Sequence, residues 1–141
     1  MPYDPQAIRT ELKTILATIT ELAFVYDRRN PNIEGFPAVI FDITRTEDVM
    51  LTNTQNERTI TFTLWVIQEI GVIGADTANE ILDNATKKVV EKLENIAQLS
   101  LNSNVDWTLP VAGGRQEVAT PQGSAIWQEL ELRAKVVSSV L

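Results

Sequence analysis

Two pairs of carboxylates come nearest, among the residues of this sequence, to the spacing of a catalytic or metal-binding site. Glu47 and Asp48 are adjacent, and Glu129 and Glu131 are separated by one residue. General acid–base catalysis and magnesium binding both need carboxylates that converge on one point. The first pair lies in a polar segment between two apolar ones, and the second alternates with apolar residues, which is typical of the polar face of a strand. We interpret both pairs as solvated carboxylates.

Asp42 and the run Gly113-Gly114-Arg115 are the other features with the residue types of a site. Asp42 lies in an apolar segment, where alternation places it opposite the core face, so we expect a solvated or interface carboxylate there. The glycine run lacks the Gly-x-x-x-x-Gly-Lys-Ser/Thr frame of a phosphate loop and does not open a helix. Neither feature predicts a catalytic residue.

The sequence contains no histidine and no cysteine. Mechanisms that use imidazole or a thiolate, disulfide bonds and the usual zinc sites are therefore excluded. Serine catalysis would need a serine–lysine arrangement, and no serine lies near a lysine in a suggestive motif. We expect no enzyme, no catalytic residue, no metal and no cofactor.

Length and composition indicate one globular domain spanning residues 1–141, because 44% of the residues are hydrophobic and 22% are charged. No apolar run approaches the roughly 20 residues that cross a bilayer, and the N-terminus lacks the pattern of a signal peptide, so we expect a cytoplasmic chain without membrane association. Nineteen acidic against twelve basic residues give a net charge of −7. Such a charge disfavours tight nucleic-acid binding. The negative charge is interpreted either as an aid to solubility or as a property of a surface that DNA passes without binding.

Alternation of apolar and polar residues predicts strands with one buried face. The clearest example places Ile60, Phe62 and Leu64 on one side of a strand and threonines on the other. A second clean alternation lies near the C-terminus, and shorter apolar runs predict three more strands. The predicted strands are 22–26, 36–43, 58–67, 105–109 and 126–136.

Apolar residues recur every three or four positions in two segments, which predicts two amphipathic helices. The first begins at Pro5 and ends near Glu21, and the second begins at Asp76 or Thr77 and continues to Ile96. The order α-β-β-β-α-β-β, with strands joined mostly to their neighbours, predicts an α+β fold. In it, both helices pack on one face of a mostly antiparallel sheet of four to five strands.

Two long stretches follow no period and predict projecting loops, at about 45–57 and 110–124. The first is longer than a hairpin connection usually is, and it carries the apolar run Val49–Leu51. It is either an arm that contacts a partner or a loop whose apolar residues fold back on the domain. The residues predicted to contact partners are Arg45, Glu47, Asp48, Val49, Met50 and Leu51 in the first stretch and Arg115, Gln116 and Glu117 in the second.

The face of the sheet opposite the helices receives two tryptophans by the same alternation, Trp65 and Trp127. Burying one tryptophan removes roughly 150–250 Å² from water, which corresponds to about 4–6 kcal/mol. We therefore expect this face to be covered, either by another copy or a partner or by the 110–124 stretch folding over it. The predicted subunit-interface residues are Trp65, Ile67, Trp127 and Glu129.

Four segments in the predicted order carry a likeness to a known family. They are the opening Ile8-Arg9-Thr10-Glu11-Leu12, the run 35–41, the strand 59–68 after a long connection, and the closing run 129–136. In these segments the sequence resembles the tail-terminator (tail completion, tail-to-head joining) proteins of tailed bacteriophages. The likeness covers nearly the whole chain as a pattern of elements and contains no diagnostic motif.

The resemblance implies a small α+β subunit of a homohexameric ring on top of the phage tail tube. Such a ring binds the last ring of the tail-tube protein, blocks further polymerisation and presents a new surface to the head connector or neck protein. DNA would pass through the ring without tight binding. The implied location is the tail or neck of the virion, after assembly in the bacterial cytoplasm, and the family supplies no catalytic residue.

Two other functions fit the same observations. Within phage assembly, the chain could be a head-completion or neck adaptor or a tail-tube subunit, because these also build rings. Outside virions, it could be a monomeric protein-binding module that uses the same outer face of the sheet.

Overall fold

The structure is a computed structural model that describes residues 5–27, 33–50, 55–95, 105–107, 111–120 and 123–139. Its elements are helix α1 (Pro5–Leu16), strands β1 (Phe24–Tyr26), β2 (Ala38–Met50) and β3 (Gln55–Glu69), a 3₁₀ turn (Gly71–Ile73), helix α2 (Ala75–Glu94), and strands β4 (Val105–Trp107), β5 (Val111–Thr120) and β6 (Gly123–Ser139). The predicted α+β fold and the order of the predicted elements are confirmed, with β5 as an additional strand.

The sheet has the order β1-β2-β3-β6, and both β4 and β5 pair with the far side of β6. β4 pairs with residues 134–136 of β6 and β5 with residues 123–131, so six strands occupy five positions. Among the strand pairings of the described residues, only that of β1 with β2 is parallel. The sheet is therefore mostly antiparallel, as predicted.

One hydrophobic core fills the space between the sheet and the two helices. Alternate residues of β3 and β6 face this core, and Phe41 of β2 meets Phe62 of β3 edge to face with ring centroids 6.1 Å apart. The helices contribute apolar stripes at the predicted spacing, which are Ile8, Leu12, Ile15 and Leu16 from α1 and Ala78, Leu82, Ala85, Val89 and Leu93 from α2. Both helices thus cover the same face, and no helix of the described residues covers the opposite, outer face of the sheet.

Two helix ends differ from their predictions. α1 ends at Leu16, because the amides of Thr18 and Ile19 bond three residues back (Thr18 N to Ile15 O at 3.2 Å). This tighter turn still buries Ile19. α2 begins directly after Gly74, whose φ of 82° favours glycine, and no side chain caps it. Asp76 and Thr77, the predicted caps, lie inside its first turn.

The stretches predicted as irregular loops form strands instead. β2 continues to Met50 and β3 starts at Gln55, so residues 45–50 and 55–57 pair as a hairpin, which we call the arm. The connection between its two strands, including Leu51, lies outside the described residues. Most of 110–124 is β5 and its hairpin to β6. Their ladders are held by backbone hydrogen bonds, which need no apolar alternation, and each contains a register shift that breaks the period of two.

Candidate interaction surface

An apolar cluster occupies the outer face of the sheet. Ile40, Ile67 and Ala125 are buried within it, and the larger side chains around them are partly buried. Those larger side chains are Tyr26, Ile33, Phe36, Trp65 and Trp127. We call this cluster the outer-face patch. It lies on β1, β2, β3 and β6, with Ile33 and Phe36 from the segment before β2 packing at its margin.

Trp65 and Trp127 meet at the centre of the outer-face patch. Their rings stack with centroids 6.1 Å apart and planes inclined by 27°. The indole Nε1 of Trp127 donates a hydrogen bond to Gln116 Oε1 on β5, at 3.3 Å. Both rings keep part of their surface exposed, which makes this patch a suitable contact for a large apolar partner surface.

The structure brings three of the four predicted interface residues together. Trp65, Ile67 and Trp127 belong to the patch, and Glu129 lies beside it as the partner of Trp65 in the β3–β6 register. The alternative prediction was that the 110–124 stretch folds over the outer face. It is wrong for residues 111–120, because these residues pair with β6 as a strand of the sheet. Whether another molecule covers the patch stays a prediction.

The hairpin arm extends from the bulge at Thr44, where the β2–β3 register shifts by one residue. Every residue of β2 from Thr44 to Met50 is exposed, so neither helix covers this part of the strand. Val49 and Met50 are 55% and 73% exposed. They therefore do not fold back on the described part of the domain, and contact with a partner stays a prediction for the arm.

Ion pairs within the arm hold its charged residues. Arg45 Nε lies 2.6 Å from Glu47 Oε1, on a fully solvated surface. Arg58 of β3 forms a bidentate pair with Asp48, with its Nη2 donating to Oδ2 at 3.0 Å. The hydrogen bond from Arg58 lowers the pKa of the Asp48 carboxyl; desolvation partly opposes this shift, and the Asn56 amide and the Arg58 charge add to it. The Asp48–Arg58 pair braces the two strands of the arm, whereas the Arg45–Glu47 pair lies within β2.

Arg115 connects β5 to helix α2 and to β6. Its guanidinium lies 2.7 Å from Asp83 Oδ1, and it donates to Asn79 Oδ1 at 3.3 Å and to Gln128 Oε1 at 3.1 Å. Gln128 is buried, and its amide donates to the carbonyl of Gly113 at 2.9 Å. Arg115 therefore has an internal role beyond the partner contact predicted for it, whereas Gln116 and Glu117 are exposed.

The glycine run that precedes Arg115 is a bulge rather than a phosphate loop. The β5–β6 register shifts between Ala112 and Arg115, so the strand accommodates one extra residue there. A Cβ on Gly113 would approach Glu129 Cβ to 3.2 Å, whereas a Cβ on Gly114 would meet nothing within 4 Å. Close approach to β6 therefore requires the glycine at position 113 only.

Asp42 accepts a hydrogen bond from Arg9 of α1, an ion pair that the sequence analysis missed. Arg9 Nη1 lies 2.9 Å from Asp42 Oδ1 and also donates to the Asp27 carbonyl at 2.9 Å. The two side chains are only 16% and 30% exposed. Asp42 thus fastens the first helix to β2. The signal in the sequence was a lone acid in an apolar strand and a basic residue beside the apolar stripe of the helix, but nothing in it paired the two.

Neither carboxylate pair forms a site in the structure. Glu129 is exposed and Glu131 bonds Arg133 at 3.0 Å, while Glu47 and Asp48 belong to the ion pairs of the arm. The described residues contain no group of three or more acidic side chains placed to hold a metal ion. Within the described helices, none is long and apolar enough to cross a membrane.

No protein-family model matches this sequence, and no curated protein matches it either. Among solved structures, a chain from the structure described as "Virion of native gene transfer agent (GTA) particle" is similar, with a TM-score of 0.50 and 15% sequence identity. The match covers 90% of this chain and 84% of that chain. At this identity the likeness shows a shared fold.

Proposed function

We propose that this chain is a structural protein of a phage or phage-like virion, and that it acts as the tail terminator. Six copies form a ring that caps the tail tube, ends tail polymerisation and joins the tail to the head or neck. The observation that carries the proposal is the shared fold with a chain of a gene transfer agent virion over nearly the full length of both. The sequence resemblance to tail terminators supports the same class independently of that structure.

The surfaces of the molecule fit an assembly role. The outer-face patch presents a stacked tryptophan pair that keeps part of its surface exposed, as expected for a contact between subunits. The arm carries exposed Val49 and Met50 away from the helices, where they can reach the tube ring or the connector. The proposed subunit contact is therefore Trp65, Ile67, Trp127 and Glu129, and the proposed tube and connector contacts lie on the arm and on β5.

The charge of the ring suits the passage of DNA. Each copy carries −7, so six copies carry 6 × −7 = −42 when all acidic groups are ionised. A lumen of this sign repels the phosphate backbone, and salt screening limits the repulsion to about 8–10 Å under cellular conditions. DNA then moves through the ring without being held by it. No catalytic step is part of this function.

The ring proposal is tested by negative-stain electron microscopy of the purified protein over a range of concentrations. A tail terminator forms single rings that do not stack, whereas a tail-tube subunit forms long tubes when concentrated. Single rings support the proposal, and tubes would replace it with a tube function. Compact monomers that stay separate even beside polymerising tail-tube protein would leave the binding module as the better account.

A further inference from the structure

Two strand edges of the described sheet lack a neighbouring strand, and they lie on opposite sides of it. β1 pairs with β2 only at residues 38–40, so the arm portion of β2 has no described strand on its outer edge. β5 pairs with β6 on one side and with no other described strand on the other. Such edges present rows of backbone N–H and C=O groups that can accept another strand.

The two edges match in length. The bulge at Thr44 leaves a regular run at 45–50, and the bulge at Gly113–Gly114 leaves a regular run at 115–120. Each run has six residues and is about 20 Å long at roughly 3.3 Å per residue. A strand added to either edge can therefore pair along its whole regular length.

Two of the residues that most often prevent edge-to-edge pairing, proline and lysine, do not occur in either run. Each run follows a bulge and carries other charged side chains. Their charges permit approach although the chain is acidic. Arg45, Glu47 and Asp48 sum to −1 in the first run, and Arg115 and Glu117 sum to 0 in the second.

We infer that the β2 edge at 45–50 of one copy pairs with the β5 edge at 115–120 of a second copy, so that their sheets join. The contact uses two different surfaces of the same chain, and head-to-tail contacts of this kind close into a ring when the rotation between copies permits. The inference rests on the proposed ring and states how its subunits are joined. It adds a backbone contact to the one proposed for the outer-face patch.

Proline substitutions on each edge test the inference, because proline removes a backbone donor. N–H groups alternate in direction along a strand, so Thr46→Pro and Glu47→Pro are made separately on β2, and Gln116→Pro and Glu117→Pro on β5. From each pair, the variant that keeps the wild-type circular dichroism and unfolding midpoint is used. Thr46→Val and Ala119→Ser keep the N–H and the charge of each run, and they serve as controls.

Native mass spectrometry then measures assembly of each variant and of their mixture. Each blocked variant alone should assemble at least about tenfold more weakly than the wild type, while the controls assemble like it. An equimolar mixture of one β2-blocked and one β5-blocked variant keeps a single usable edge on each copy. It should therefore form a 1:1 dimer at concentrations where larger assemblies remain at least about tenfold weaker than in the wild type.

Two results would overturn the inference while the ring proposal stands. They are blocked variants that assemble into the wild-type ring and a mixture that forms no dimer although the wild type forms rings. A wild type that stays monomeric at all concentrations would overturn the edge contact and the self-assembled ring together.

Discussion

Trp65 and Trp127 stack on the outer face of the sheet, from adjacent strands, with ring centroids 6.1 Å apart. The β3–β6 register places Ile67 directly opposite Trp127, so the two indoles meet on the diagonal between the strands. The stack rests on buried Ile40, Ile67 and Ala125 and keeps part of its surface in solvent. The pair therefore combines a rigid support with an accessible apolar surface.

Trp127→Ala should weaken self-association more than it weakens the fold. We expect the free energy of unfolding to fall by about 1–2 kcal/mol, since the stack is lost from a partly solvated position. Truncation at the centre of an interface costs about 2 kcal/mol or more, so association should weaken about thirtyfold or more. Urea unfolding and analytical ultracentrifugation measure the two effects.

Trp127→Phe is the matched control, because it keeps an aromatic ring at the same position. It should recover most of the association lost in Trp127→Ala. Unchanged association in Trp127→Ala, together with the loss of stability, would mean that the stack serves the monomer alone.

Asp42→Asn should destabilise the fold by about 1–2 kcal/mol in urea unfolding. The substitution removes the charge that pairs with the Arg9 guanidinium, which is only 16% exposed and has its other described contact with the Asp27 carbonyl. Glu47→Gln is the comparison, since the Arg45–Glu47 pair is 69% and 53% exposed and should contribute less than about 0.5 kcal/mol. Equal effects of the two substitutions would show that Asp42 does not anchor helix α1.

Gly113→Ala and Gly114→Ala should have different effects on stability, although the two glycines are neighbours in one bulge. The added Cβ at position 113 would lie 3.2 Å from Glu129 Cβ and 3.4 Å from the Glu129 carbonyl oxygen, so β5 must shift away from β6. We expect a loss of about 1 kcal/mol and faster amide hydrogen exchange in β5. A Cβ at position 114 would meet nothing within 4 Å, so Gly114→Ala should be neutral or stabilising. A larger loss of stability in Gly114→Ala than in Gly113→Ala would contradict the described bulge.

The Asp48 carboxyl should titrate below its ordinary pKa of about 3.9. The Arg58 hydrogen bond lowers the pKa in the folded state, so the pair's stabilisation is complete above the unfolded-state pKa and is lost as the pH falls through the lower folded value. NMR of the side-chain carboxyl carbon measures the midpoint, and Arg58→Gln should raise it. An unchanged midpoint in that variant would show that Arg58 does not bind Asp48 in solution.

Alternation in the sequence predicted the strands that face the core, because burial on one side selects every second residue. β3 and β6 were therefore correctly placed, together with the parity that exposes Trp65 and Trp127. The helix stripes were predicted for the same reason. Parity also predicted Trp65, Ile67 and Trp127 of the outer-face patch, whereas Tyr26, Ile33, Phe36 and Ala125 were not predicted to join it.

The arm and β5 were not predictable in this way. Neither faces a helix-covered core along its length, so backbone hydrogen bonds to a neighbouring strand hold them and their side chains need no apolar alternation. The bulges at Thr44 and at Gly113–Gly114 also reverse the parity within each strand. The pairing of Arg9 with Asp42 and that of Arg115 with Asp83 join residues distant in sequence, which no local pattern indicates.

Sedimentation equilibrium over a wide concentration range, combined with tryptophan fluorescence, tests most directly whether the outer face is covered by another copy. Trp107→Phe serves as the background, so that emission comes from Trp65 and Trp127 alone. We expect a discrete ring mass that is a multiple of 15.7 kDa, with emission shifting to shorter wavelength as the ring forms. A monomer at every concentration, whose two indoles already emit as buried groups, would contradict it.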